Sequence, residues 1–338
     1  MADRNTIISE FLAASGWKNA IQTHLAADAS FRRYQRISLG QRRAILMNSP
    51  PDKENVVPFV FITKLLRSLG YSAPEIYAED MEAGLILLED FGDTTFTVMI
   101  SASADEKKLY ECAIDLLIDL HSRPQTQAIP PGLHFYDNRT LIREALLLTD
   151  WYIPQVAKNR PTDDAKMRYE MIWENLLPLC RTMNNTLVLR DFHADNLMWL
   201  PDRTGIAACG LLDYQDAVSG PPTYDLMSLL EDARRDLNPN MVKHLLQRYL
   251  LAFPDLDPDD FRNEFLILAA QRHCKVIGIF SRLAVRDNKT AYLSHIPRVW
   301  QLLEEACSSP ILLPLKIWLD RFIAPELRGR ALLDKFND

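Results

Sequence analysis

Along the first ninety residues, apolar positions recur in short runs broken by turn residues; beyond residue 92 they recur at helical spacing. After a short helix over residues 6–15, stopped by Gly16, the pattern predicts three short strands at 20–25, 33–39 and 43–47. Gly40-Gln41 turns between the last two, and Pro50-Pro51 closes the set. Residues 54–69 carry Val57, Val60, Phe61, Leu65 and Leu69 at helical spacing, and Gly70 ends them. Strands over 74–78 and 85–88 follow, joined by a turn at 81–84. Residues 106–120, 141–152, 163–183, 223–235, 241–253, 259–284, 293–306 and 311–323 then read as helices. A loop with three prolines and a glycine fills 121–134, and the apolar runs 186–189 and 207–212 read as short buried strands. The expectation is an α+β chain in two parts: residues 1–91, a small β-rich lobe with one packed helix, and residues 92–338, a large α-helical lobe.

Composition narrows the function. A formal net charge of -7 argues against a nucleic-acid or anionic-membrane partner, because phosphate binding needs a basic surface. No apolar stretch approaches the roughly 18 residues of a membrane span, and the N-terminus lacks a signal-peptide core. Five cysteines, scattered and without a C-x-x-C pair, read as reduced thiols of a cytoplasmic protein rather than a disulfide framework or a zinc site. Protein partners stay open.

The chemistry concentrates in Leu189-Arg190-Asp191-Phe192-His193-Ala194-Asp195-Asn196 and in Leu211-Leu212-Asp213. Phosphoryl transfer asks for one carboxylate to accept the acceptor hydroxyl's proton, and for an amide and a second carboxylate to hold the magnesium that bridges the nucleotide phosphates. Asp191 fits the first role, and Asn196 and Asp213 the second. Asp and Asn at this spacing also serve plain turns, but the two flanking apolar strands would point all three into one cleft. A β-rich lobe, an α-rich lobe and this chemistry on loops between them make a bilobal, protein-kinase-like architecture with the nucleotide in the cleft.

These motifs, with Gly220-Pro221 leading to Asp225-Leu226, resemble the aminoglycoside phosphotransferase-like (choline kinase-like) small-molecule kinases. Leu87 to Asp93, Asp150-Trp151-Tyr152, Arg190 to Pro201, Ser228 to Arg234 and the run from Gln271 to Leu283 are similar to one branch, the anomeric N-acetylmuramate/N-acetylglucosamine kinases of bacterial cell-wall recycling. The resemblance covers about residues 11–318. It implies ATP and Mg2+, an amino-sugar hydroxyl as acceptor, Asp191 as the base, Asn196 and Asp213 as the magnesium ligands, and Asp225 as the support of the catalytic-loop backbone. Two other classes remain: a kinase of aminoglycosides or small alcohols such as choline or homoserine, and a nucleotide-binding pseudokinase.

Departures from protein kinases are plain. The loop over 26–34 has no glycine; Ala29 and Ser30 would let backbone N–H groups approach the phosphates, with Arg32 or Arg33 adding charge, or the segment is a simple hairpin turn. Met47 stands where the third strand carries a phosphate-binding lysine, so Arg32, Arg33, Lys53 or Lys64 must compensate, and Glu54 is left without its usual partner. Leu189 replaces the histidine of protein kinases; the similar branch also tends to lack the third-strand lysine. For the adenine edge, the backbone of Glu89, Asp90 and Phe91 is expected, with Leu87 behind it; the same run also reads as a last core strand. His193 and Asp195 in the catalytic loop, and Glu231 and Arg234 opening the helix behind it, are candidate acceptor contacts. At about 100° per residue, Arg272, Lys275, Arg282 and Arg286 fall on one stripe, which would suit a carboxylate-bearing sugar; the other reading is a solvated charged edge.

Overall fold

The computed structural model describes residues 3–25, 31–157, 161–329 and 331–337. In chain order the first elements are α1 (Arg4–Ala14), β1 (Ile21–His24), β2 (Arg33–Leu39), β3 (Arg42–Asn48), α2 (Val57–Ser68), β4 (Ile76–Asp80), β5 (Leu85–Leu88), α3 (Phe96–Ser101) and α4 (Glu106–Ser122). There follow α5 (Gln125–Ala128), α6 (Asn138–Ala145), a π-helical turn (Leu148–Tyr152), α7 (Ile153–Val156) and α8 (Asp163–Leu176). The strands β6 (Thr186–Val188), β7 (Leu197–Trp199), β8 (Cys209–Leu211) and β9 (Val218–Gly220) are short. Then come α9 (Thr223–Leu230), α10 (Pro239–Ala252), α11 (Pro258–Asp287), α12 (Ile296–Ala306), α13 (Leu313–Phe322) and α14 (Ala331–Asn337). A small antiparallel sheet with the helices α1 and α2 is thus followed by a mainly helical remainder. No helix among the described residues is long and apolar enough to cross a membrane. The backbone divides into two compact units, residues 1–116 with 194–217 and residues 117–193 with 218–338.

The first unit is built on a five-stranded antiparallel sheet in the order β1-β2-β3-β5-β4. Side chains alternate across a sheet, and here one face buries Ile37, Ala44, Leu46, Leu85 and Leu87 against Ile8, Leu12 and Trp17 from α1 and its C-terminal turn. The opposite face presents Tyr34, Arg36, Ile45 and Leu88 to a cavity. On α2, Phe59, Val60, Ile62, Thr63 and Leu66 are buried. The β7–β8 hairpin completes the unit.

The second unit is organised by α11, which is buried along most of its thirty residues. Asp257 caps it, accepting the N–H groups of Asp259 and Asp260 at 2.9 and 3.0 Å. The acidic run around residue 257, which also suits a polycationic ligand, therefore serves a helix N-terminus, where carboxylates are favourable. Several helices end earlier than their apolar period suggests. The expected 163–183 helix stops at Leu176 and passes into a 3₁₀ turn (Leu177–Leu179) holding Pro178. The expected 223–235 helix stops at Leu230, because the Asp232 side chain takes the Arg234 N–H at 2.9 Å and forms a local turn instead.

Gly278, in the middle of α11, lies against the chain just before the π-helical turn; a Cβ there would overlap the Leu147 carbonyl carbon and oxygen. Alanine is the better helix former by ~1 kcal/mol, yet overpacking against backbone costs about 1–3 kcal/mol or more. Gly278→Ala is therefore expected to lower the urea midpoint without changing the slope of the transition. A raised midpoint would mean that the two segments do not touch this closely.

Candidate active site

The register of the β7–β8 hairpin brings the two proposed metal ligands to one end. Leu197 pairs with Leu211, and the Leu212 N–H continues the ladder onto the Asn196 carbonyl at 3.0 Å. Asn196 closes a 3₁₀ turn (Ala194–Asn196) and Asp213 follows Leu212, so both line one cavity of about 260 Å³ inside the first unit. Asp213 has a left-handed backbone, φ 55°, and accepts from Gln215 Nε2 at 2.9 Å. Next to it, Tyr214 stacks on Phe59 with ring centroids 5.4 Å apart and shares a 2.8 Å hydrogen bond with Thr63, so α2 fixes this segment.

The same cavity has apolar walls, among them Ile45, Phe59, Leu88, Met198 and Leu212, and a rim that includes Glu89, Asp90 and Phe91. Its volume falls just below the usual range of roughly 300–1,000 Å³ for small-molecule sites. Glu89 is ion-paired to Arg203, whose guanidinium lies 5.1 Å over the Phe91 ring. Arg36, which the sequence reading missed, clamps the rim. Its Nε reaches Asp90 at 2.7 Å and its Nη atoms reach Asp93 at 2.9 and 3.0 Å and the Gly92 carbonyl at 3.2 Å. Those bonds hold the Asp93 carboxyl below its usual range. Leu87 differs from expectation: it belongs to the core against α1, and Leu88 takes the cavity side, because successive strand residues face opposite ways.

Ala29 and Ser30 lie outside the described residues. Met47 is fully buried and is the Cα partner of Tyr34. Tyr34, Arg36 and Ile45 of that face line the cavity, so Met47 stands on the side a lysine would use. Arg32 supplies charge nearby. Its Nε is 2.5 Å from Glu54 Oε2 and its Nη1 is 3.8 Å from Asp213 Oδ1. Glu54 also accepts the Phe31 N–H at 3.0 Å, so the glutamate that lacked a partner in the sequence has one in Arg32. Burial pushes the neighbouring Tyr34 phenol up to about 12, leaving it a neutral group. Arg33 is exposed on the other side of β2.

In the second unit, β6 pairs with β9, Val188 opposite Val218, which sets residues 189–191 beside the start of α9. Asp225, fully buried in the first turn of α9, accepts the Leu189 and Arg190 N–H groups at 2.6 and 2.8 Å. Burial pushes its carboxyl up to about 7, against the pull of those two N–H groups and Arg272. Arg190 has φ 70°, and the Asp191 N–H turns back to the Leu189 carbonyl at 2.9 Å. A three-residue turn with positive φ at its centre is rare and strained. Asp191 is over a third exposed. Burial pushes its carboxyl up, but Arg272, Lys275, His193 and Arg190 outweigh that and hold it below the usual range.

The expected acceptor contacts distribute over both units. His193 is buried and lies 3.4 Å from the Arg234 guanidinium; burial lowers its pKa, with Asp232 opposing. Glu231 is held at 2.6 Å by His273 of α11. Asp195 belongs to the first unit, where it accepts from Thr97 of α3 at 2.5 Å. The cationic stripe on α11 is split by depth: Arg272 and Lys275 are buried, while Arg286 is exposed and pairs with Asp287 at 2.8 Å. Lys275 sits 3.2 Å from Glu144, a half-buried acid on α6 that local sequence does not mark. Arg190 also pairs with Glu144, and the Tyr136 hydroxyl donates to it.

Residues 22–261 match the profile of the phosphotransferase enzyme family. A protein of Caulobacter vibrioides named N-acetylmuramate/N-acetylglucosamine kinase is 34% identical, the alignment covering 97% of this chain and 99% of that one. A Pseudomonas aeruginosa protein of the same name is 35% identical over 89% of each chain. Among solved structures, a choline/ethanolamine kinase family protein from Mesorhizobium loti aligns with TM-score 0.60 at 12% identity, over 94% of this chain and all of its own. That likeness bears on the fold, which is protein-kinase-like.

Proposed function

Because the chain belongs to the phosphotransferase enzyme family and is a small-molecule kinase, we propose that it moves the γ-phosphoryl group of ATP, with magnesium, onto the anomeric hydroxyl of N-acetylmuramate or N-acetylglucosamine. The observation that carries this reading is the shared cavity of Asn196, Asp213 and the 89–91 rim. An amide oxygen and a carboxylate are the hard donors that magnesium takes when substrate phosphates complete its shell. Held by Asn196 and Asp213, magnesium would offset charge on the phosphate oxygens. Arg32, held by Glu54, adds a fixed cation at the same end. Asp191, ionised at neutral pH, accepts the proton of the attacking hydroxyl. The anomeric hydroxyl suits a carboxylate base because the ring oxygen makes it more acidic than the other hydroxyls of the sugar. His193, Glu231 and Arg234 are the acceptor-side candidates of the second unit, with Asp195 from the first. An ATP-dependent enzyme with five free cysteines fits a reducing cytoplasm, the compartment assigned by this reading.

The test is transfer from MgATP to a panel of N-acetylmuramate, N-acetylglucosamine, an aminoglycoside, choline and homoserine, with the product position read by NMR. Phosphate at C1 of the N-acetylated sugars is expected. Phosphate at another carbon would remove the anomeric assignment, and transfer to the aminoglycoside or an amino alcohol instead would remove the sugar assignment.

A further inference from the structure

We infer that Arg272 is a positioning residue for the phosphotransfer, setting both the charge and the aim of Asp191 from the middle of α11. This rests on the reading of Asp191 as the base. Three observations converge on Arg190 and Asp191. The Arg190 N–H is held by Asp225 at 2.8 Å. The Arg190 carbonyl is held from the other side by Arg272 Nη1 at 3.3 Å and by the Ser228 hydroxyl at 3.4 Å. The same Nη1 stands 3.8 Å from Asp191 Oδ1. One guanidinium therefore touches both the strained turn and the carboxylate that the turn presents. Arg272 has no freedom to serve elsewhere: it is buried, and the Tyr224 hydroxyl lies 3.4 Å from Nη1.

A buried cation without a counter-charge is strongly unfavourable, and the local balance explains why Arg272 acts on Asp191. Lys275, one turn further along α11, is taken by Glu144, which also takes the Arg190 side chain. With Glu144 shared between two cations, Asp191 is, among the described residues, the carboxylate within 4 Å of Arg272. Among the described residues, the charged groups that act on Asp191 include Arg272 and Lys275 from α11, Arg190 and His193 from its own loop, and Asp225 from α9. Of these, Arg272 contributes the largest pull toward the ionised carboxylate.

The experiment is the pH profile of kcat/KM for N-acetylglucosamine, an acceptor without a carboxylate of its own, in Arg272→Gln and Arg272→Lys. Glutamine removes the charge and keeps a donor for the Arg190 carbonyl; lysine keeps the charge and loses the fork. The acidic limb, which reports the free enzyme's base, is expected to move up by about 1–3 units in Arg272→Gln. It is expected to stay in place in Arg272→Lys while kcat falls. A limb unmoved in Arg272→Gln overturns the inference; if that variant does not fold, a limb displaced in Arg272→Lys does so. Asp191→Asn in the same assay separates the two levels. Turnover surviving in Asp191→Asn would remove the base itself, whereas an inactive Asp191→Asn beside an unmoved Arg272→Gln limb removes only the role of Arg272.

Discussion

Asp191→Asn is expected to cut turnover by about 10²–10⁴-fold, the range a positioned general base supplies, while MgATP binds as in the wild type. Asparagine has nearly the same shape, so the strained turn at Arg190 and its bonds to Asp225 and Arg272 survive. What disappears is the proton acceptor. Fold stability should fall as well, because the buried Arg272 loses the counter-charge of Asp191 and keeps only the Arg190 carbonyl and the Tyr224 hydroxyl. The loss should fall on kcat, since the proton moves only as the transition state forms. Steady-state kinetics with a parallel thermal-shift titration of MgATP checks both halves. Turnover within tenfold of wild type would place the base elsewhere; weakened MgATP binding would mean that Asp191 serves the nucleotide.

The parts of this site that were legible in the sequence depend on short-range order. Asn196 and Asp213 could be grouped because the apolar runs 186–189 and 207–212 flank the catalytic loop, but the hairpin register that sets them at one end was not readable. The role of Asp225 came from the family resemblance, since a carboxylate in a first helical turn is favourable there without any function. Leu87 was assigned to the wrong face for a physical reason: Leu85-Ile86-Leu87-Leu88 is buried on both sides, so it carries no alternation from which to read phase. The bond between Arg32 and Glu54 could not be read, since several cations and one acid offered themselves and tertiary packing chose the pair. Arg272 and Lys275 were grouped correctly by helical angle, yet angle does not encode depth. Their partners Asp191 and Glu144 come from segments more than eighty residues away. The strands β7 and β9, three residues each, are too short for a period of two to show.

The charges at the phosphate end should separate under titration. In wild-type protein, MgATP at a hundredfold excess over its dissociation constant raises stability by about 2.7 kcal/mol through mass action, and ATP without magnesium raises it less. Asp213→Asn is expected to make the two conditions equal, because the charged metal ligand is gone while the cavity walls and Arg32 remain. Arg32→Met should do the reverse, weakening ATP binding with and without magnesium while preserving the difference between them. A charge-assisted hydrogen bond of about 1.5–3 kcal/mol corresponds to a loss of roughly tenfold or more in affinity. Glu54→Gln should follow Arg32→Met at smaller amplitude, since it frees the guanidinium without removing it. Lys53 and Lys64, both more than half exposed, should be replaceable by methionine with little effect. If Arg32→Met bound MgATP like the wild type while Lys53→Met or Lys64→Met did not, the charge that stands in for the absent third-strand lysine would come from the surface lysines and not from the Arg32–Glu54 pair.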